Sequence, residues 1–170
     1  MPSDHVQMDI VDRATRSRMM SGIRSKNTHP ELRVRRFLHS HGFRFRLHVA
    51  GLPGKPDLVM KKHNLAVFVH GCFWHRHRGC PLATTPATNP ERWGEKFAAN
   101  VERDHRTREA LLDAGWRILV LWECGLKGRT VEHDLQWLPD WIRSAERYRE
   151  WPASAQDAAD HSSRPSGPAP

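Results

Sequence analysis

An α/β fold, with a mixed central sheet flanked by helices on both faces, is what this 170-residue sequence predicts. Three features carry the prediction. Residues 65–70 (LAVFVH) and 116–122 (WRILVLW) are short, continuous apolar runs, the pattern of strands buried on both faces. Between them, residues 90–114 form a long helical segment opened by Asn89-Pro90 and closed by Gly115. A connection of that length is a crossover, which makes the two strands parallel and adjacent.

The other elements follow in chain order. Residues 1–11 read as a flexible arm. Asp12 caps a helix over 13–24 whose apolar members are Ala14, Met19, Met20 and Ile23. Thr28 and Glu31 form a capping box with Pro30 in the first turn; the helix they open carries Leu32, Val34, Phe37 and Leu38 and stops at Gly42. Phe43, Phe45, Leu47 and Val49 alternate with Arg44, Arg46 and His48, as in a half-buried strand. Residues 52–56 (LPGKP) turn the chain, 57–60 begin a second strand, and His63-Asn64 turns it into 65–70. Residues 71–89 read as irregular, and a weaker helical stretch after Thr130 is interrupted by Pro139. The Pro, Ser and Ala content from 151 onward predicts a disordered tail. One domain over 12–150 is expected between arm and tail. Trp116, Trp122, Trp137 and Trp141 have the periodicity of core residues.

Charge narrows the partners. Lys plus Arg is 27 against 19 Asp plus Glu, a formal +8. Residues 13–56 hold nine arginines and two lysines, and Glu31 is their sole acidic residue. Such a bias suits nucleic acid, because each neutralised phosphate releases counterions. Mean hydropathy is −0.69, and no apolar run nears the roughly 18 residues of a membrane span. No secretory signal is expected at the N-terminus, and the composition excludes collagen-like and disulfide-scaffold classes. A cytoplasmic protein without membrane contact is expected.

Cys72, Cys80 and Cys124, with His70, His75 and His77 crowded around the first, point to a metal. Parallel neighbouring strands would bring Cys72 and Cys124, each two residues past a strand end, to one place. The intervening loop adds Cys72-x4-His77-x2-Cys80. A Cys3His set is a closed tetrahedral zinc site, so this zinc would be structural. Spacing alone allows His75 in place of His77. Asp57, at the start of a strand, and Glu31, on the preceding helix, could gather carboxylates at one sheet end to hold Mg²⁺ on a phosphate.

Five strings in order are more specific: ATRS (14–17), LPGKPD (52–57), FVHGCFWH (68–75), NVERD (100–104), and GWR with WEC (115–117 and 122–124). Across about residues 12–129 the chain resembles the very short patch repair endonucleases. That resemblance implies a restriction-endonuclease-like core with a structural zinc and Mg²⁺-dependent hydrolysis of one phosphodiester. The nick falls beside the thymine of a T·G mispair left by deamination of 5-methylcytosine, and starts very short patch repair. It assigns Mg²⁺ to Asp57 and the Val69 backbone carbonyl, the attacking water to His75, and an auxiliary role to His70. Glu31 and Asp104 match the family's acidic positions around the site. The zinc ligands carry over as Cys72, His77, Cys80 and Cys124, with Arg78-Gly79 standing where the commoner spacing has one residue.

Phe73, Trp74 and Trp93 sit in or beside the loop. As aromatics they can pack as a lid on the zinc site or wedge between base steps, which costs least at a mispair. The resemblance implies the wedge, with Met20 and Ile23 entering from the minor groove. It implies double-stranded mismatched DNA as partner, other mismatch-repair proteins as further candidates, and action at the bacterial nucleoid. A monomer is expected, because a mismatch has no two-fold symmetry. Two other readings share the basic charge and the zinc: a restriction-type endonuclease on matched duplex, and a non-catalytic zinc-stabilised DNA-binding protein.

Overall fold

A computed structural model of the chain describes residues 26–128 and 130–154. The expected arm, the helix over 13–24 with Met20 and Ile23, and the tail beyond 154 lie outside the described residues. Helix α1 (His29–Ser40) starts at the expected capping box: the Thr28 side chain accepts from Glu31 N, while the Glu31 carboxylate accepts from Thr28 N. Val34, Phe37 and Leu38 face the core, and the chain leaves the helix through Gly42 at φ +79, a left-handed conformation that favours glycine.

Five strands follow: β1 (Arg46–Leu47), β2 (Leu58–Met60), β3 (Leu65–His70), β4 (Arg117–Trp122) and β5 (Tyr148–Trp151). They lie in that spatial order. The β1–β2 and β2–β3 pairs are antiparallel; β3–β4 and β4–β5 are parallel. The mixed sheet is therefore as expected. Helix α3 (Pro90–Asp113) is the crossover from β3 to β4, and the register sets His70 beside Trp122. Both central strands are sandwiched. Val67, Leu119 and Leu121 face α1 and Trp141, whereas Ala66, Phe68, Ile118, Val120 and Trp122 face α3 through Leu111. That two-sided burial is why these strands read as unbroken apolar runs.

Several elements depart from the sequence expectation. The strand over 43–49 shrinks to two exposed residues, because His48 turns left-handed at φ +46; Phe43 is buried off the strand. The loop after β3 holds a short helix, α2 (Cys72–His75). Asn89 gives α3 no side-chain cap, being left-handed at φ +54. The stretch after Thr130 is two helices, α4 (Val131–Asp134) and α5 (Leu138–Arg143). Pro139 opens α5 rather than interrupting it, since the first turn needs no N–H from it. Strand β5 was not expected. It carries Trp151, which the sequence assigns to the tail, onto the core beside Trp137, and Ser154 beyond it is buried. Its four residues are all half-buried, so it has no alternation to detect.

Candidate active site and metal centre

The parallel β3–β4 pair does what the sequence requires of it. Cys72 opens α2 just past β3, and Cys124 follows β4. With His77 and Cys80 they form one group whose ligand atoms all lie within 4.8 Å of one another. The His77 Nδ1 atom lies 3.8 Å from Cys72 Sγ and 3.3 Å from Cys124 Sγ, close to the ligand-to-ligand spacing of a tetrahedral ion with bonds near 2.0–2.3 Å. Arg78-Gly79 is absorbed by a tight turn, with Gly79 at φ +69 and Cys80 N donating to His77 O at 3.2 Å. Burial pushes the Cys72 and Cys124 thiols well up from their usual range. Three such thiols and an imidazole nitrogen can hold a divalent ion, whose charge would favour the thiolates. The His77 ring stacks on Trp122 at 4.3 Å and 10°.

Trp151 and Pro152 pack on the residue after Cys124, which sequence reasoning missed. A Cβ on Gly125, beside Cys124, would lie 2.5 Å from Pro152 Cδ and 2.6 Å from Trp151 Cζ3.

His75 faces away from the thiols. Its Nδ1 is 2.5 Å from Asp104 Oδ2, and its ring stacks on His70 at 3.9 Å and 8°. His70, His75 and Asp104 form a second compact group. Burial, helped by neighbouring His75, pushes His70 down to about 3, so this imidazole stays neutral. Burial pulls the Asp104 carboxyl upward, but the His75 hydrogen bond and the nearby histidine and Arg103 charges hold it below its ordinary value.

The Asp57 carboxylate accepts from Val69 N at 2.8 Å, one residue before His70. Burial raises it to about 6 against that hydrogen bond, with the charge of Glu31 adding and His48 and Arg35 opposing. Glu31 is 3% exposed and its oxygens are engaged by Asn27 N, Thr28 and Arg35. It acts on Asp57 as a nearby charge. Glu31, Asp57, Val69, His70, His75 and Asp104 all line one cleft of about 1770 Å³.

Trp74 lines the cleft and packs with Phe73 and Trp93 on a fourth ring that sequence reasoning missed. Phe97 lies one turn along α3 from Trp93, 5.1 Å from Phe73 and 5.5 Å from Trp93; the i, i+4 spacing was the available signal. Asn100 Nδ2 donates to Trp74 O at 3.1 Å, Lys96 Nζ lies over Trp74 at 5.0 Å, and Arg76 covers Phe97 at 4.4 Å. The basic segment divides. Arg33 donates to Leu126 O and Gly128 O, and Arg35 is buried on Glu31. Arg36, Arg44, Arg46 and Lys55 are exposed. Among the described residues no helix is long and apolar enough to cross a membrane.

Known proteins resemble this chain in sequence. The family model described as DNA mismatch endonuclease Vsr matches residues 8–81. The chain is 44% identical over 137 residues to the DNA mismatch endonuclease Vsr of Escherichia coli, covering 79% of this chain and 87% of that protein. It is 50% identical over 108 residues to the type II nicking enzyme V.XorIIP of Xanthomonas oryzae pv. oryzae, covering 64% of this chain and 79% of that protein. A third relative, the type II nicking enzyme V.NmeAIP of Neisseria meningitidis, is 42% identical over 123 residues, 72% of this chain and 87% of that protein.

Proposed function

The chain belongs to the DNA mismatch endonuclease Vsr family, and from that premise we propose that it nicks one strand of duplex DNA beside the thymine of a T·G mispair, on a restriction-endonuclease-like core. The observation that carries the reading is the pairing, in one cleft, of a partly buried carboxylate at Asp57 with a His75–Asp104 couple, next to the half-buried rings of Phe73, Trp74 and Trp93. One half does chemistry and the other finds the substrate.

Mg²⁺, held by Asp57 and the Val69 carbonyl, would supply charge neutralisation at the scissile phosphate. The protein side of the reaction belongs to the histidines. Asp104 accepts from His75 Nδ1–H, which fixes the tautomer and leaves Nε2 to take a proton from the attacking water. His70, stacked and neutral, holds the ring plane of His75. Arg103, Lys55 and Lys96 line the cleft and oppose phosphate charge. The aromatic cluster opens the duplex where unstacking costs least, at the mispair, and Met20 and Ile23 approach from the other groove. The Cys72, His77, Cys80 and Cys124 set holds Zn²⁺, which soft thiolate and imidazole ligands select over Mg²⁺. An ion bound there would be structural, because α2, which carries His75, and the chain just past β4 both supply its ligands. The protein acts as a monomer in the bacterial cytoplasm.

The test is nicking of end-labelled duplexes that differ by one base, T·G against T·A and C·G, with and without Mg²⁺. Mg²⁺-dependent cleavage of one strand at T·G alone is expected. Equal cleavage of matched duplex would make this a restriction-type enzyme, and binding without cleavage a non-catalytic DNA-binding protein.

A further inference from the structure

The turn that delivers Asp57 rests on α3 with no slack. Gly54, in that turn, stands at φ +69. A Cβ there would lie 2.3 Å from Thr107 Cγ2, 3.0 Å from Thr107 Oγ1 and 3.2 Å from Thr107 Cβ. Both branches of the threonine therefore face the glycine, and either the threonine must turn or the loop must lift to admit a Cβ. The third atom is fixed to the helix backbone. Thr107 lies three residues beyond Asp104 on α3, one turn along the same face, and Gly54, Thr107, Asp57 and Asp104 line the same cleft wall.

We infer that Thr107 is a positioning residue: its side chain is the seat of the Gly54 turn, and sets the separation between the Asp57 carboxylate and the His75–Asp104 couple. The inference rests on the reading of Asp57 as the ligand of the divalent ion. One helix then gauges both halves of the reaction, since Asp104 orients His75 and Thr107, a turn further on, spaces the strand entry that carries Asp57. A methyl at position 54 must lift the turn by about 1 Å to reach ordinary contact, and misplacement of that size can cost on the order of 10²-fold in rate.

The experiment compares Gly54→Ala, Thr107→Ala, Thr107→Val and the Gly54→Ala/Thr107→Ala pair, with Asp57→Asn as control. It measures kcat and KM on a T·G duplex, the Mg²⁺ concentration for half-maximal rate, and Mn²⁺ binding to the protein by water-proton relaxation. Gly54→Ala is expected to lose kcat by on the order of 10²-fold, with unchanged KM, a raised Mg²⁺ requirement and weaker Mn²⁺ binding. Adding Thr107→Ala to it should recover about tenfold or more of that kcat by vacating the obstructing space, a rescue that a merely structural role would not produce. Thr107→Ala alone should lower kcat and raise the Mg²⁺ requirement, and Thr107→Val, which keeps the seat, should not; this arm decides the matter if Gly54→Ala does not fold. Wild-type kcat and Mg²⁺ requirement in both Gly54→Ala and Thr107→Ala, or a pair no better than Gly54→Ala, would overturn the inference. If Asp57→Asn itself keeps nicking and Mn²⁺ binding, the reading of Asp57 fails; if Asp57→Asn loses both while the seat variants keep them, Asp57 stands and the seat falls.

Discussion

Replacing Asp57 by Asn should stabilise the zinc-loaded, Mg²⁺-free protein while abolishing nicking. Burial raises the Asp57 carboxyl from 3.8 to about 6, against the Val69 N–H that favours its ionised form. A raised acid binds its proton more tightly when folded, so its contribution is favourable at low pH. That contribution is lost as pH rises from about 4 through about 6. Near pH 7 the ionised carboxylate costs the Mg²⁺-free fold about 3 kcal/mol relative to an unperturbed acid. Asn keeps an oxygen for Val69 N and carries no charge, so most of that cost disappears. For a chain of this size the gain corresponds to roughly 5–10 °C in Tm. Thermal melts of both zinc-loaded proteins with no Mg²⁺ added, at about pH 4 and about pH 7, read it directly. The two Tm values should converge at the lower pH and separate at the higher one. A variant no more stable than wild type near pH 7 would mean that Asp57 is not a desolvated carboxylate. Nicking that survives would mean that it does not carry the reaction.

Cys124→Ser, or stripping metal with a strong chelator, should leave the protein poorly folded, because a structural zinc supplies on the order of 10 kcal/mol of folding free energy; metal content by mass spectrometry and Tm check it, and unchanged stability without metal would remove the zinc. His75→Ala should lose nicking and keep its zinc, whereas His77→Ala should lose zinc, since His77 Nδ1 is the atom that meets the thiols; the reverse result in metal analysis would exchange their roles. Phe97→Ala, at a site 5% exposed, should cost about 3–5 kcal/mol of stability. It should also lower affinity for a T·G duplex more than for a matched one in a binding assay without Mg²⁺, by releasing Phe73 and Trp93. Affinity for duplex should fall by roughly 10³-fold between about 50 and 200 mM salt, and Arg44→Ala with Arg46→Ala should flatten that slope; a flat wild-type dependence would reduce the basic face to solvated surface.

Local signals in the sequence were enough for much of the frame. Two continuous apolar runs joined by a long helix can only be parallel neighbours packed on both faces, and β3, α3 and β4 are that. The Thr28–Glu31 capping box is a contact between residues three apart, so its spacing contains its geometry. Cys72 and Cys124, each just past a strand end, converge because strand direction was already decided. The family strings brought the division between His75 and His77, which spacing left open. Signals failed where local preference and tertiary environment disagree. His48 cuts the alternating strand short with a left-handed turn, and β5 is half-buried throughout, so neither has a period that reports it.

The tertiary structure alone decided how the pieces meet. The place of Glu31 in its capping box was legible, but its nearness to Asp57, whose carboxyl its charge helps to raise, was set by packing. Arg33 looks like part of a DNA-facing segment and instead satisfies backbone carbonyls of the loop after Cys124. Trp151 and Pro152 read as the start of a tail and close over Gly125, the residue after Cys124. In each case the partner lies outside the local stretch of chain, or is chosen among several equivalent neighbours. Residue type and local period determine what an element is and which face it buries. Only packing determines which distant group satisfies a buried charge, fills the space beside a glycine or sets the distance between two halves of an active site.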